Sequence, residues 1–357
     1  MSKQKARNIL FDCERMKYPH TGLYHFCLQL GNALIRNSDT GSEKISFYLP
    51  NSAGKVFGDH ASCIAQNSLH KFLFPAVGKY NVWHGTYQGS NYVPSGASVK
   101  KVLTIHDLNF LYEQGERPEK IKRSLRKIQN QIDRADKICT ISNYVKQDVQ
   151  QYLDVKNKEI KVIYNGCNIQ HLANLQSPVL LPVQPFIFTI GTITNKKNFH
   201  VLPALIKNND LVLVIAGIVQ QQDYQKKILE EATKHGVANK VIFTGSVSDN
   251  DKEWYLKNCT AFVFPSIAEG FGLPVIEAMA FGKPIFLSTA TSLPEVGGDM
   301  AYYFTSFDAE DMQQVFQKGI ENYNNINPSA AIIERAASFS WDKAAKKYLS
   351  TYRALVQ

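Results

Sequence analysis

Short apolar runs, many of them β-branched or aromatic, alternate along this chain with longer stretches whose apolar positions recur every three or four residues. The first pattern suits strands buried on both faces; the second suits amphipathic helices. In the first half it predicts strands at Asn8–Asp12, Ile45–Leu49, Asn81–His84, Lys101–Ile105, Lys137–Ile141 and Ile160–Tyr164. A first helix follows Thr21-Gly22, with Leu23, Phe26, Cys27, Leu30 and Leu34 on one face and Thr21 as N-cap. Further strands are expected at Phe186–Ile190, Leu211–Ala216, Lys240–Thr244, Ala261–Phe264, Pro284–Leu287 and Ala301–Phe304. Helices are expected at Phe199–Lys207, Gln222–His235, Asp249–Lys257, Leu273–Phe281, Ala309–Tyr323, Ser329–Ser338 and from Ser340 to about Ala354.

Between the two arrays, His171 to Pro185 holds Pro178, Pro182 and Pro185 without periodicity and reads as a linker. Two strand–helix arrays imply an α/β protein of two doubly wound, Rossmann-like domains. The expected boundaries are 1–172 and 173–339, with a last helix, 340–357, crossing back onto the first domain. Ligands of such sheets bind outside the carboxyl ends of the strands, so a cleft between the domains is the expected site.

Composition narrows the function. With 44% hydrophobic and 20% charged residues in 357, the chain is not a disordered one. No apolar run approaches the ~20 residues that span a bilayer. The apolar stretch near the N-terminus is too short for a secretory signal, so a cytoplasmic location is expected. The six cysteines show neither paired nor zinc-like spacing, which argues against a disulfide framework or structural zinc.

Charge is uneven. Residues 1–172 carry 24 Lys and Arg against 14 Asp and Glu, whereas residues 173–357 carry 16 against 17. The basic excess peaks between Arg117 and Lys127, on a stretch whose Ile121, Leu125, Ile128, Ile132 and Ala135 define an amphipathic helix. Its cations form either a solvated face or a contact for anionic lipid headgroups or a lipid-diphosphate acceptor, at the inner face of a membrane. No aromatic-interleaved basic motif points to nucleic acid.

The densest chemistry lies in Ala261-Phe-Val-Phe-Pro-Ser-Ile-Ala-Glu269-Gly-Phe-Gly-Leu-Pro274-Val-Ile-Glu277. An apolar strand enters a loop with Gly270 and Gly272, where a ligand can approach the main chain, and Pro274 then opens a helix. Amides at the start of that helix lack partners and can hold a phosphate or sugar hydroxyl. Glu269 is expected in the loop and Glu277 in the first turn; each carboxylate can accept two hydroxyls of a ribose or sugar ring. Gly270-Phe-Gly272 lacks the third glycine of a nicotinamide fingerprint. Asp249-Asn250-Asp251 formally matches a metal-diphosphate pattern, but an N-cap and first-turn acid explain it better, so no metal is expected.

These residues resemble the Glu-x7-Glu segment of the retaining glycosyltransferases of family 4, which have the GT-B fold. The resemblance extends to Gly191-Thr-Ile-Thr-Asn-Lys-Lys197-Asn198, Val247-Ser-Asp249 and Ser292-Leu-Pro-Glu-Val-Gly-Gly-Asp299. In the first half it takes in Gly22-Leu-Tyr24, Thr104-Ile-His106-Asp107-Leu108, Thr140-Ile-Ser142-Asn-Tyr144 and Val162-Ile-Tyr-Asn165-Gly166. The resemblance implies a nucleotide-sugar donor whose ribose Glu277 holds and whose sugar Glu269 contacts. It implies Lys197, with Lys196 nearby, on the diphosphate, and backbone amides of Phe271, Gly272 and Leu273 on the sugar or distal phosphate. It places His106 near the donor sugar and the reacting centre. Thr192 stands where some relatives carry an arginine. Gly22 would let phosphate or acceptor approach the first helix, and Tyr18, His20 and His84 would lie on the acceptor side.

The expected activity is metal-independent hexosyl transfer, from GDP-mannose before a UDP-hexose, to a glycan or lipid-linked acceptor of surface polysaccharide or lipopolysaccharide. The 191–198 segment looks like that of bacterial mannosyl- and rhamnosyltransferases. A nucleotide-sugar epimerase of the same fold, or a non-catalytic nucleotide-sugar-binding scaffold, remains an alternative.

Overall fold

A computed structural model describes residues 7–19, 21–75, 77–95, 98–113, 117–169 and 172–356. The chain forms two compact units, one of Met1–Leu111, Gly115–Gly166 and Ser340–Gln357, the other of Tyr112–Gln114 and Cys167–Phe339.

The first unit holds strands β1 (Arg7–Asp12), β2 (Glu43–Leu49), β3 (Ser62–Ala65), β4 (Val82–Gly85), β5 (Lys100–Ile105), β6 (Lys137–Thr140) and β7 (Ile160–Val162). Its helices so far are α1 (Gly22–Asn37), α2 (Pro118–Arg134) and α3 (Asn143–Tyr152). The strands are parallel in the order β3-β2-β1-β4-β5-β6-β7. The chain winds outward from β1 to β3, then returns to place β4 on the other side of β1. Strand β3 was not legible in the pattern. It is a four-residue edge strand, exposed at every second position, whose Ser-Cys-Ile-Ala carries almost no hydrophobic alternation.

The second unit repeats this winding. Its strands are β8 (Phe186–Ile190), β9 (Val212–Ala216), β10 (Val241–Gly245), β11 (Ala261–Phe264), β12 (Ile285–Ser288) and β13 (Tyr302–Phe304). They lie parallel in the order β10-β9-β8-β11-β12-β13. Helices α4 (Gln222–Lys234), α5 (Asp249–Asn258), α6 (Leu273–Met279), α7 (Leu293–Gly297), α8 (Ala309–Ile326) and α9 (Ser329–Ser338) connect or cover them. β8, β9, β11 and β12 are almost wholly buried, as strands covered on both faces must be. The helix expected at Phe199–Lys207 is a tighter 3₁₀ helix over Phe199–Ile206: Pro203 lies inside it and has no amide hydrogen to give.

Helix α10 (Trp341–Leu355) belongs to the first unit and packs along α1. Trp341 meets Phe26 edge-on, with ring centroids 5.8 Å apart. Asp342 accepts from Arg36 (2.9 Å) and Asn37 (2.7 Å), and Arg353 makes two bonds to Glu43 (2.6 and 2.8 Å). The residues read as a linker form no regular element from 172 to 185, yet they are pinned to α5. Leu172 donates to Glu253, Gln176 and Asn250 exchange two bonds, and the Tyr255 hydroxyl donates to the Leu180 carbonyl. Cys13, Cys27, Cys139 and Cys259 are buried, Cys167 is half-buried and Cys63 is exposed.

Candidate functional site

In the second sheet the winding direction reverses between β8 and β11, which are neighbours. The loops leaving their carboxyl ends diverge there and leave a crevice, the usual ligand position of a doubly wound sheet. The β8 loop carries Gly191 to Lys197, and the β11 loop carries Ser266 to Gly272.

The two loops are stitched together. The Lys196 carbonyl accepts from both the Ser266 hydroxyl (3.0 Å) and the Ile267 amide (2.9 Å). Lys197 ends a short 3₁₀ turn closed by Asn198 in the left-handed region (φ 56°), which asparagine tolerates. Its stem then runs over Gly191, where a Cβ would come within 3.0 Å of Lys197 Cε. The buried Lys197 ammonium lies 2.5 Å from Glu269 Oε1 and 4.8 Å above the Phe264 ring. Ser266 donates to the same Glu269 oxygen at 2.7 Å. Both bonds fall on Oε1, which leaves Oε2 unengaged by any described residue. The lysine also keeps donors to spare, having three in all.

Glu269 is held by its main chain too. Its amide donates to Thr291 Oγ1 (2.9 Å), and its carbonyl accepts from Ser292 Oγ (3.0 Å). Thr291 sits at φ 54°, a costly conformation for a β-branched residue, on the order of 1–3 kcal/mol, and one that concentrates at functional sites.

Glu277 is built the same way. Asn168 (3.1 Å) and Lys252 (3.4 Å) both donate to its Oε1, again leaving Oε2 open. Lys252 also meets Asp249 at 3.3 Å. Burial alone would lower the Lys252 ammonium, but Glu277 and Asp249 outweigh it and hold it above the ordinary lysine value. Glu277 is the fifth residue of a seven-residue helix, so it lies in the second turn and not the first. Pro274 is the second helical residue. Of the two loop glycines, Gly272 uses the left-handed region, at φ 101°. Phe271 is buried edge-on against Phe339, and Leu273 is half-buried as the first residue of α6. Thr192 is exposed, while the Lys196 ammonium meets Glu113 at 3.3 Å. In the Asp249-Asn250-Asp251 run Ser248 is the N-cap, accepting from the Asp251 amide, and Asp249 pairs with Lys252.

In the first unit His106 lies just past β5, buried. Its Nε2 lies 2.8 Å from the Thr86 carbonyl, an acceptor, so Nε2 bears the hydrogen and Nδ1 keeps a free lone pair. Burial lowers its pKa to about 4, opposed by the Thr86 bond, so the ring is neutral at pH 7. His84 does not line an acceptor surface. It is wholly buried, with Nε2 2.7 Å from Thr104 Oγ1 and Nδ1 2.6 Å from the Tyr352 hydroxyl. A residue that ends a strand can point into the layer above the sheet, and here α10 covers that layer. Tyr18 is exposed beneath the Arg15 guanidinium, 4.7 Å from its ring centre. A Cβ on Gly22 would meet nothing within 4 Å. His20 lies outside the described residues.

The structure thus brings Lys197 and Glu269 into contact and gives Glu277 a cation of its own. Lys252, Asn168, Ser266 and Thr291 were missed. Of these, only Ser266 lay in the motif segment, and the other three are remote in sequence from the glutamates they hold.

The family model for glycosyl transferases group 1 matches residues 175–339, and that for glycosyltransferase family 4 matches residues 60–171. Both halves thus match glycosyltransferase models, and the chain is a family 4-like glycosyltransferase with the GT-B fold. It is similar to the serotype-specific mannosyltransferase WbdA of Escherichia coli, with 30% identity over 64% of this chain and 30% of that one. The chain therefore spans about a third of WbdA. It is also similar to the O-antigen chain mannosyltransferase B of E. coli, with 23% identity over 97% of this chain and all of that one. Among solved structures, Anabaena HepE in complex with UDP and glucose shares the fold, with a TM-score of 0.72 and 18% identity over 98% of this chain and 100% of that one.

Proposed function

We propose that the protein is a retaining, metal-independent hexosyltransferase acting in surface polysaccharide or lipopolysaccharide synthesis. It moves a hexose from a nucleoside-diphosphate sugar to a hydroxyl of a glycan or lipid-linked acceptor. GDP-mannose is the favoured donor, because WbdA and mannosyltransferase B are both mannosyltransferases. A UDP-hexose comes second, since HepE was solved with UDP and glucose.

The observation that carries this reading is the buried Lys197–Glu269 pair at the carboxyl ends of β8 and β11. As the glycosidic bond breaks, charge grows on the leaving diphosphate. A fixed ammonium with unspent donors stabilises that charge more in the transition state than in the ground state, and removing one such donor costs about 3–4 kcal/mol. This cation does the work a metal does elsewhere. Glu269 Oε2 would hold the donor sugar and Glu277 Oε2 the ribose. His106 would accept from a sugar hydroxyl through Nδ1. With no protein nucleophile assigned among the described residues, a leaving-group phosphate oxygen would take the acceptor proton as the new bond forms on the same face.

The test is proton NMR of donor panels with a simple hexoside acceptor, with and without EDTA. Transfer with the anomeric configuration of the donor, unaffected by EDTA, supports the proposal. Inverted product or an EDTA-sensitive rate contradicts its mechanism. Epimerised donor without transfer contradicts the reaction class.

A further inference from the structure

A short turn between β3 and β4 presents three large apolar side chains to solvent: Leu69 is 68% exposed, Phe72 87% and Leu73 80%. The turn is held in place. Asn67 caps it through the Leu69 amide (2.9 Å), and His70 turns inward to the Tyr48 hydroxyl (3.1 Å). Phe74 is buried against Tyr48 and Trp83. With His70 and Phe74 anchored inside, the residues between and before them are carried outward by a fixed backbone. Contiguous exposed apolar groups of this kind mark interaction surfaces.

Beside this turn runs a stripe of cations. On α2 the residues Lys120, Arg123, Lys127 and Arg134 follow at spacings of three, four and seven, so they share one face over about 21 Å. All four are exposed, while Ile128 and Ile132 face inward. Lys71, between Leu69 and Phe72, lies 5.5 Å from the Tyr92 ring, and the charges of Lys71 and Lys127 act on one another and on Glu14. Turn and stripe are therefore neighbours. Next to them is a cavity of about 470 Å³ lined by polar and charged residues, including Lys127, Asn130 and Arg134 from α2 and Asn91 from the facing loop. Its one carboxylate, Asp133, is already paired with Lys156 at 2.9 Å. That of Glu14, nearby, accepts from Ser90.

We propose that this face of the first unit docks on an anionic phospholipid bilayer, with Leu69, Phe72 and Leu73 entering the acyl boundary, the α2 stripe lying over lipid phosphates and the polar cavity receiving a headgroup. Apolar insertion and a row of cations are the two signals whose sum gives stable peripheral binding. The docking is independent of the transfer reaction proposed above, and its test contains no nucleotide sugar.

The experiment is sedimentation of the full chain with phosphatidylcholine vesicles, with and without about a quarter phosphatidylglycerol, at about 50 and 500 mM salt. Wild type should bind the anionic vesicles at low salt, bind neutral vesicles at least tenfold more weakly, and weaken with salt. The double variants F72S/L73S and R123E/K127E should each lose at least tenfold, with unchanged circular-dichroism melts. K122E/R126E, which makes the same charge change off the stripe, should lose less than threefold. No binding to anionic vesicles at low salt overturns the proposal. So does binding that survives either of the first two variants, or an equal loss in the third.

Discussion

Two carboxylates in the second unit share one design. Each spends Oε1 on a lysine and a neutral donor, Lys197 with Ser266 for Glu269 and Lys252 with Asn168 for Glu277. The lysine fixes each acid in place, and the second oxygen is left for a ligand. Lys252 thus acts through Glu277. Lys252→Met should raise the Kd for the nucleotide about tenfold with a smaller effect on kcat, measured by calorimetry and steady-state kinetics. A fall in kcat at unchanged affinity would place Lys252 elsewhere in the reaction. The buried histidines make a second prediction. Burial lowers the pKa of His84 to about 3 and of His106 to about 4, from an unfolded value of ~6.5. Between pH 4 and 6.5 the unfolded chain therefore binds more protons than the native one, so stability rises with pH across that window and is fully present above it. Urea unfolding of wild type should show the midpoint falling from pH 7 to pH 4, and H84Q should flatten that fall. Equal slopes in the two proteins would contradict the assignment.

At the scale of elements, α10 closes the first unit from the far end of the chain. Its Tyr352 hydroxyl meets His84 Nδ1, and its Tyr348 hydroxyl lies 3.0 Å from Thr104 Oγ1, both in the interior. Tyr352→Phe leaves a buried nitrogen unpaired and should cost about 1–3 kcal/mol in urea unfolding. Deletion of residues 340–357 should abolish cooperative unfolding of the first unit and leave that of the second, which differential calorimetry resolves. Two intact transitions after deletion would contradict this role. Most strands were legible because parallel strands buried on both faces are near-continuous apolar runs, as in Phe186–Ile190 and Ala261–Phe264. β3 was not, because an edge strand needs few apolar positions. The same limit applied to the site. Glu269, Gly272 and Glu277 sit within one segment and were readable. The grip of Lys252 and Asn168 on Glu277 comes from tertiary packing of α5 and the post-β7 loop. His84 was misplaced because position at a strand end does not reveal which covering helix lies above it.

At the scale of the whole molecule, two similarly wound units divide the chemistry. The second unit, with 12 Lys and Arg against 17 Asp and Glu, is acidic and carries the paired carboxylates and Lys197, and the basic excess belongs to the first. Among the described residues no helix is long and apolar enough to cross a membrane. In the proposed reaction the second unit binds a nucleoside-diphosphate sugar through Lys197, Glu269 and Glu277. A ligand bound at 100 times its Kd stabilises the folded state by about 2.7 kcal/mol, which corresponds to a melting shift of about 5 °C or more. The most direct measurement is a thermal-shift screen of guanosine, uridine and adenosine diphosphates and their sugars on wild type and Glu277→Ala. One nucleotide and its sugar should raise the wild-type melting temperature by that amount, and the variant should lose the shift. No shift with any nucleotide at millimolar concentration, or an equal shift in the variant, would contradict this binding.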